Sequence, residues 1–326
     1  MLLMFEEFEN QNLDIGRLNY GNITLLPKIK EANKIQQYRP ICSFNVVHNF
    51  FTKTLMLKME KILERILNKC QTSFLKGRNI MEGVLSLHDI LHDTKMRKKG
   101  GLILKLYFEM AYDKLNWEFL LDCLIQRGFP QKCCSWIRAV LTSGTLSVKA
   151  NDKTGPYFKS GKGVRQGDPL SPFLFNIAAD SRAKMVTMGQ SNNIIRGLIP
   201  EYVQNGIALL QYADDTILCL QDDLENLQNM KFLLFLYEGM SGLKINFGKS
   251  EVIMVDQDLE KSINFSEMFN CDVGKWPIKY LGVPVSGSRL RVADWLPLVE
   301  KINKRIDGWK GASLSICERL TLLNAC

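Results

Sequence analysis

Histidine is scarce, Cys-x-x-Cys pairs are missing, and no apolar run comes near the roughly 18 residues that a membrane span needs. The apolar stretch FLLFLY at Phe232–Tyr237 is far too short for one. Three histidines (His48, His88, His92) and nine cysteines in no regular spacing leave a zinc knuckle or a disulfide framework without its ligands. Cys133 and Cys134 are adjacent, which suits neither. His88 and His92 stand four apart on an expected helix and could share a metal, but with no third ligand a surface pair is the simpler expectation. The opening MLLMFEEFENQ carries early acids and neither a basic n-region nor a cleavage site, which argues against a secretory signal. With the odd cysteine count, this points to free thiols in an intracellular, reducing compartment. Internal repeats and low-complexity segments are absent too.

What is present is ordinary in bulk. Hydrophobic residues make up 46% of the 326 and charged residues 23%, as in a soluble globular chain with two or three subdomains. Lys plus Arg number 42 against 34 Asp plus Glu, and the net charge of +8 favours polyanionic partners without establishing them.

Periodicity predicts an amphipathic helix to about Gly16, a short strand over Asn22–Lys30 closed by Pro27, and a long helix following Pro40. A polar, glycine-marked loop spans Cys70–Ile80. The next helix runs to KMRKKG at Lys95–Gly100, where the cations suit the negative end of the dipole. In LILKLYFEMAYDKLNW (Leu102–Trp117), Leu102, Leu104 and Leu106 alternate with Ile103, Lys105 and Tyr107 as in a half-buried strand. Asn116 can cap the helix that follows and Gly128 can stop it. A second helix ends near Gly144, and a hairpin turns around Asn151–Asp152. Asp168 can cap, and Pro169 start, a long apolar helix. IALLQYADDTILCL (Ile207–Leu220) is two strands around a tight acidic turn. A helix from about Asp223 to Gly239 follows, with Leu224, Leu227, Leu234 and Tyr237 on one side. GLKINFGKSEVIMV forms a strand pair, KYLGVPV a further strand, and a last helix begins near Asp294. Interleaved strands and helices imply an α+β fold.

Tyr212-Ala213-Asp214-Asp215 is the sharpest chemical feature. Two consecutive acids between apolar strands are costly unless something binds them, and a turn can direct both toward one place. A solvated turn is the bland alternative, since Asp is common in turns. Its company shifts the balance. GVRQGDPLSPFLFN brings glycines, Arg165 and Gln166 before a helix N-terminus, where donors can meet a phosphate or a base pair. RPICSFN and QTSFLKGRNI supply Arg39, Lys76 and Arg78 upstream; SGLKINFGKS and YLGVP follow.

In this order, from ITLLPK to RLTLLNAC, these motifs resemble the reverse transcriptases of non-LTR (LINE-type) retrotransposons, especially plant-type elements. The resemblance implies a right-hand polymerase. Residues 1–100 would be fingers with an N-terminal helix. Residues 101–290 would be palm, with a return to the fingers near 130–162, and 291–326 the start of a thumb, truncated in this copy. It implies an RNA template, a DNA primer and deoxynucleoside triphosphates as partners, Mg²⁺ as cofactor, and no membrane. Asp214 and Asp215 match the metal-binding acids. Gln166 and Gly167 match the loop at the nascent base pair, beside Arg165 as a template or primer contact. Arg78, with Lys76, matches the cations on the incoming triphosphate. Tyr112 matches the aromatic gate against the ribose 2′-hydroxyl. Lys249, or else Lys244, matches the lysine that protonates pyrophosphate. Tyr280, Leu281 and Gly282 match the primer grip, although Gly282 could serve only a turn.

One position departs. Where the family's strand ends in a metal-bridging acid, this chain has Tyr107, and Met110 stands where a lysine is usual. Two cations about 3.5–4 Å apart need several carboxylates. A phenol ordinarily stays neutral at pH 7 and cannot bridge them. Glu109 could substitute if the strand continued, and Asp113 follows the gate but reads as a helix cap. Arg39 and Lys76 could be plain surface charges, and Lys249 could merely close a strand. Trp276 and Trp309 read as packing residues. The expectation is a polymerase core that is catalytically weak or inactive. A non-catalytic nucleic-acid-binding remnant, or a translated relic, is the alternative.

Overall fold

The computed structural model describes residues 2–10, 13–151, 153–307 and 315–317. Helix α1 (Leu2–Glu9) stops short of Gly16 and gives way to a 3-10 turn at Ile15–Arg17 under an Asp14 cap. Strands β1 (Tyr20–Pro27) and β2 (Tyr38–Phe44) form an antiparallel ribbon with Leu25 opposite Pro40. The stretch around Pro40 was expected to open a helix, and it is strand instead. Cys42 and Phe44 alternate inward with Ser43 outward, and the helix α2 (Val46–Ile66) waits for Asn45, whose Oδ1 accepts from the Val47 N–H. His48, Phe51, Leu55, Met59 and Leu63 bury one helical stripe of α2.

Helix α3 (Ile80–Met96), capped by Asn79, leads into β3 (Leu102–Leu106), β4 (Phe108–Glu109) and the single turn α4 (Ala111–Lys114). Asn116 caps α5 (Trp117–Gln126), and Gly128, at φ 78°, ends it as expected. Then come α6 (Gln131–Thr142), β5 (Thr145–Ala150), β6 (Lys153–Thr154) and β7 (Phe158–Lys159). Helix α7 (Ser171–Ser191) begins at Ser171, after Pro169. Asp168 serves the loop before it, accepting from the Leu170 N–H at 3.0 Å.

The acidic hairpin is β8 (Leu209–Tyr212) and β9 (Asp215–Leu220), followed by α8 (Leu224–Ser241), β10 (Lys244–Ile245) and β11 (Glu251–Met254). On α8, Leu227, Leu234 and Tyr237 are buried, but Leu224, expected beside them, is exposed. β10 and β11 do not pair with each other as expected: β10 pairs with β4, and β11 with β3. Helix α9 (Leu259–Phe269) and β12 (Asp272–Val273) precede β13 (Ile278–Tyr280) and β14 (Val283–Val285). Those last two are a hairpin, not one strand, because Leu281 and Gly282 turn with φ of 50° and 91°. Helix α10 (Val292–Asp307) follows; Trp309 lies outside the described residues.

Two sheets result. One runs β2-β1-β5-β6 with β7 beside β5, and β1 lies parallel to β5. The other runs β12-β11-β3-β9-β8, with β3 at its centre. β3 is therefore buried on both faces rather than half-buried. Leu102, Leu104 and Leu106 pack toward α7, α8 and α9, while Ile103 packs with Ile217 and Cys219 against α3 and the β13–β14 hairpin. The fold is α+β, and the even-numbered and odd-numbered residues of β3 serve different layers.

A buried ion pair ties the helical layer. The Arg127 guanidinium, at the end of α5, donates to Asp180 Oδ2 at 2.7 Å, and the Asn68 N–H, just past α2, donates to Asp180 Oδ1 at 2.7 Å. Their side chains are 3% and 0% exposed. Removing one partner of such a pair strands the other charge. Arg127→Met is expected to lower the unfolding free energy by about 3–5 kcal/mol, read from urea midpoints at constant m.

Candidate active site

The β8–β9 hairpin turns through only Ala213 and Asp214, since Tyr212 pairs with Asp215. Ala213 is at φ 54°, a left-handed conformation that costs a residue with a Cβ. Asp214 is exposed at the tip and Asp215 half-buried beneath it. Burial, then the neighbouring Asp214 charge, raises the Asp215 carboxyl above the ordinary carboxylate range, while Lys105 opposes the shift. Such a pair gains from a cation.

Strand register sets what faces Asp215. β3 and β9 pair antiparallel with Leu106 opposite Thr216, so the next position brings Tyr107 opposite Asp215. Lys105 shares that face, its ammonium 4.9 Å from the centre of the Tyr107 ring and 3.8 Å from Glu251. Tyr107 is fixed by its backbone: its N–H donates to Ser250 Oγ at 3.2 Å and its carbonyl accepts from Asn246 at 2.7 Å. A cavity of about 380 Å³ is lined by Tyr107, Tyr212, Asp215, Lys279, Tyr280 and Lys301 among others.

Glu109 does not continue this strand. It lies on the separate β4–β10 ribbon opposite Lys244 and pairs with Lys114 at 2.6 Å. Asp113 sits half-buried in α4, its proton affinity raised by burial against the pull of Lys28. Among the described residues no three His, Cys, Asp or Glu side chains converge. Asp214 and Asp215 are therefore two adjacent carboxylates without a third protein ligand among the described residues, hard oxygen donors of the type a divalent cation takes together with water or phosphate oxygens.

Tyr112 lies flat on Phe175, centroids 4.7 Å apart, its hydroxyl proton held by burial and by the Asp214 charge. Tyr112 thus lies within electrostatic reach of the acidic turn. The Gln166 carbonyl accepts from the Cys42 N–H at 2.8 Å. Gly167, at φ 112°, leaves no room for a Cβ, which would run into the Cys42 carbonyl oxygen. This loop is strapped to β2.

Two arginines are committed elsewhere. Arg78 donates to the carbonyls of Asn68 (2.6 Å), Leu67 (3.0 Å) and Gln71, so it closes the end of α2 rather than presenting a free fork to a triphosphate. Arg165 turns inward to Asn19 Oδ1 and the Val140 carbonyl and lies over Phe44, which leaves little of it for a template. Lys76 and Arg39 remain exposed. Lys249 and Lys244 are exposed as well, Lys249 in a 3-10 turn and Lys244 on β10. Tyr280 is buried beneath the β13–β14 tip formed by Leu281 and Gly282, its hydroxyl without a hydrogen bond and its proton held by burial and by Asp215. Sequence reasoning missed Lys105, Lys279 and Lys301 in the cavity, and Gln71 and Ser73 behind the turn. The polar QTS triplet between two apolar helices was the available signal for the last two.

Comparison with known proteins follows the same line. The family model for reverse transcriptase (RNA-dependent DNA polymerase) matches residues 27–285. An uncharacterized 149 kDa protein of transposon TX1 from Xenopus laevis is 27% identical over 310 residues, 93% of this chain and 23% of that protein. The retrovirus-related Pol polyprotein from type-2 retrotransposable element R2DM of Drosophila melanogaster is 23% identical over 281 residues, 82% of this chain and 25% of its own. The chain thus spans about a quarter of the length of these relatives. Among solved structures, telomerase from Candida albicans in complex with a TWJ fragment of telomeric RNA superposes with a TM-score of 0.58 at 16% identity, covering 85% of this chain and 47% of that one. Apo telomerase from Candida tropicalis gives 0.56 at 12%, covering 88% and 51%. At such identities the likeness is one of fold.

The raised Asp215 carboxyl has a consequence for stability. The folded chain holds that proton more tightly than the unfolded chain, so stability falls as pH rises from the unfolded carboxyl range through the raised value. Asp215→Asn is expected to raise Tm at pH 7 in the absence of divalent cations. The gain should shrink toward zero below about pH 4, where both states are protonated. Thermal melts across that pH series check it.

Proposed function

The chain belongs to the reverse transcriptase (RNA-dependent DNA polymerase) family, and from that premise we propose that it is the polymerase core of a LINE-type retroelement protein. It would copy an RNA template from a DNA primer using deoxynucleoside triphosphates. The observation that carries this is the pair of adjacent acids on a two-residue turn at the end of a buried sheet, near enough to Tyr112 for the Asp214 charge to act on its hydroxyl. Residues 1–100 with the return near 130–162 serve as fingers, 101–290 as palm and 291 onward as thumb. No helix among the described residues is long and apolar enough to cross a membrane. A reducing, intracellular setting is proposed from the cysteine pattern alone.

Asp214 and Asp215 would hold Mg²⁺, which when bound neutralises phosphate charge and lowers the pKa of an attacking hydroxyl. The chain's own residues do the remaining work. Tyr112, braced on Phe175, walls the sugar side of the nucleotide and excludes a 2′-hydroxyl. Gln166 and Gly167 present backbone to the nascent base pair from a loop strapped to β2. Lys76 and Arg39 are the fingers cations left for phosphates, with Arg78 in a supporting role at the end of α2. Lys249, or Lys244, supplies a proton to the leaving pyrophosphate. Leu281 and Gly282 reach the primer from the β13–β14 tip, above Tyr280.

Tyr107 opposite Asp215 contributes no carboxylate to this centre. We infer that the native chain turns over slowly for that reason: the missing carboxylate would leave bound Mg²⁺ short of a ligand and remove several kcal/mol of transition-state stabilisation, or at least about 10³-fold in rate. Mg²⁺-dependent primer extension on an RNA template tests this. Tyr107→Asp should extend at least about 10³-fold faster than the native chain, and adding Asp214→Asn should abolish that activity. Equal rates for the native chain and Tyr107→Asp would show that Tyr107 is no impediment. Silence from both would refute a self-sufficient polymerase core.

A further inference from the structure

The turn that carries the two acids is held from behind. The Ala213 N–H donates to Gln71 Oε1 and to Ser73 Oγ, both at 3.0 Å. Gln71 Oε1 also accepts from the Ser73 hydroxyl at 2.8 Å and the Ser73 N–H at 3.2 Å. Asn176 of α7 anchors the other side, its amide nitrogen donating to the Ser73 carbonyl at 2.8 Å. The segment itself lies along β8: the Thr72 N–H donates to the Gln211 carbonyl at 3.2 Å, and the Gln211 N–H to the Cys70 carbonyl at 3.1 Å. Gln71, Ser73 and Asn176 are each 0% exposed, so solvent cannot take over any of these bonds.

The Gln71 amide nitrogen has no hydrogen-bond partner. Flipping the amide would turn that nitrogen toward the Ala213 and Ser73 N–H groups, which can only donate, so the side chain keeps its carbonyl aimed at Ala213 and leaves one buried donor unsatisfied. An unmet buried donor is costly, because it has given up its bond to water and gained none in return. Ala213 itself is held at φ 54°, a conformation that an alanine keeps only when its surroundings over-determine it. Two costs fall on the residue just before the acid pair and on the side chain that grips it.

We propose that Gln71 and Ser73 are positioning residues that aim the Asp214 and Asp215 carboxylates at a shared divalent cation. This rests on the metal-binding role given to those acids above. Neither residue touches the cation. They fix the Tyr212–Ala213 peptide, one residue before Asp214, and without them the strained turn can relax and separate the two carboxylates. Supporting contacts of this kind characteristically change metal affinity about 10–100-fold.

The test is Mn²⁺ binding to the full chain, followed by the EPR signal of free Mn²⁺ well below the Tm of every variant. Asp214→Asn should abolish the site. Ser73→Ala and Gln71→Met should weaken it about 10–100-fold. Ser73→Thr, which keeps the hydroxyl, should recover most of the loss. Arg127→Met, with at least as large a fall in Tm, should bind like the native chain, which a merely structural role for Gln71 and Ser73 would not predict. Native affinity in both Ser73→Ala and Gln71→Met overturns the positioning role and leaves the metal site standing. Affinity that simply tracks Tm through Arg127→Met overturns it as well. Binding that survives Asp214→Asn instead removes the metal role of the acids, and this proposal with it. Should Ser73→Ala or Gln71→Met fail to fold, Ala213→Gly decides: glycine removes the φ strain and should leave affinity at or above the native value, whereas a loss there contradicts the proposal.

Discussion

The pairing of β3 with β9 governs the site. Leu106 stands opposite Thr216, and that register carries Lys105 opposite Ile217 and Tyr107 opposite Asp215. Side chains alternate along a strand, so a slip of one residue would turn Leu102, Leu104 and Leu106 out of one apolar layer and Ile103 out of the other. Both faces of β3 are buried, which makes the slip prohibitive. Position 107 is therefore bound to Asp215 by the packing of residues that have no part in chemistry. Whatever side chain occurs there has to share a cavity with Asp215, Lys279 and Lys301.

A second theme is where the positive charge goes. A net charge of +8 suggests a surface for polyanions, yet several arginines serve the interior. Arg127 pairs with Asp180, Arg165 braces Asn19 and Phe44, Arg78 closes α2, and Arg182 lies fully buried between Phe108 and Tyr237 with a bond to Thr216. The planar guanidinium, with five donors, can satisfy several carbonyls at once, so it suits junctions between elements. Lysines behave differently: Lys279 and Lys301 end at the cavity, and Lys76 at the surface. Counting cations alone overstates what a ligand meets.

Some of the fold was legible because a local cause sufficed. Asn116 capping α5, Gly128 stopping it and the tight Tyr212–Asp215 turn each follow from side-chain chemistry within a few residues. β2 was not legible, because Val46 to Leu63 supplies so strong a helical stripe that the four residues from Ile41 to Phe44 read as its beginning. Only pairing with β1 makes them strand. β10 and β11 looked like partners because they are neighbours in sequence, but each found a better edge on β4 and β3. Arg78 looked like a ligand because a loop cation beside a glycine is usually free; the carbonyl-rich end of α2 that captures it is assembled by tertiary contact.

The sequence by itself determined the family, the α+β class, the acidic turn and the oddity of Tyr107, because these rest on residue identity, order and short-range periodicity. Tertiary structure alone decided that Tyr107 faces Asp215, that Glu109 is drawn off to Lys114, that Arg78 and Arg165 point inward, and that Gln71 and Ser73 grip Ala213. Each of the latter is a contact between segments set together by sheet register or helix packing, and the free energy that selects it comes from burial spread over many side chains rather than from the residues that touch.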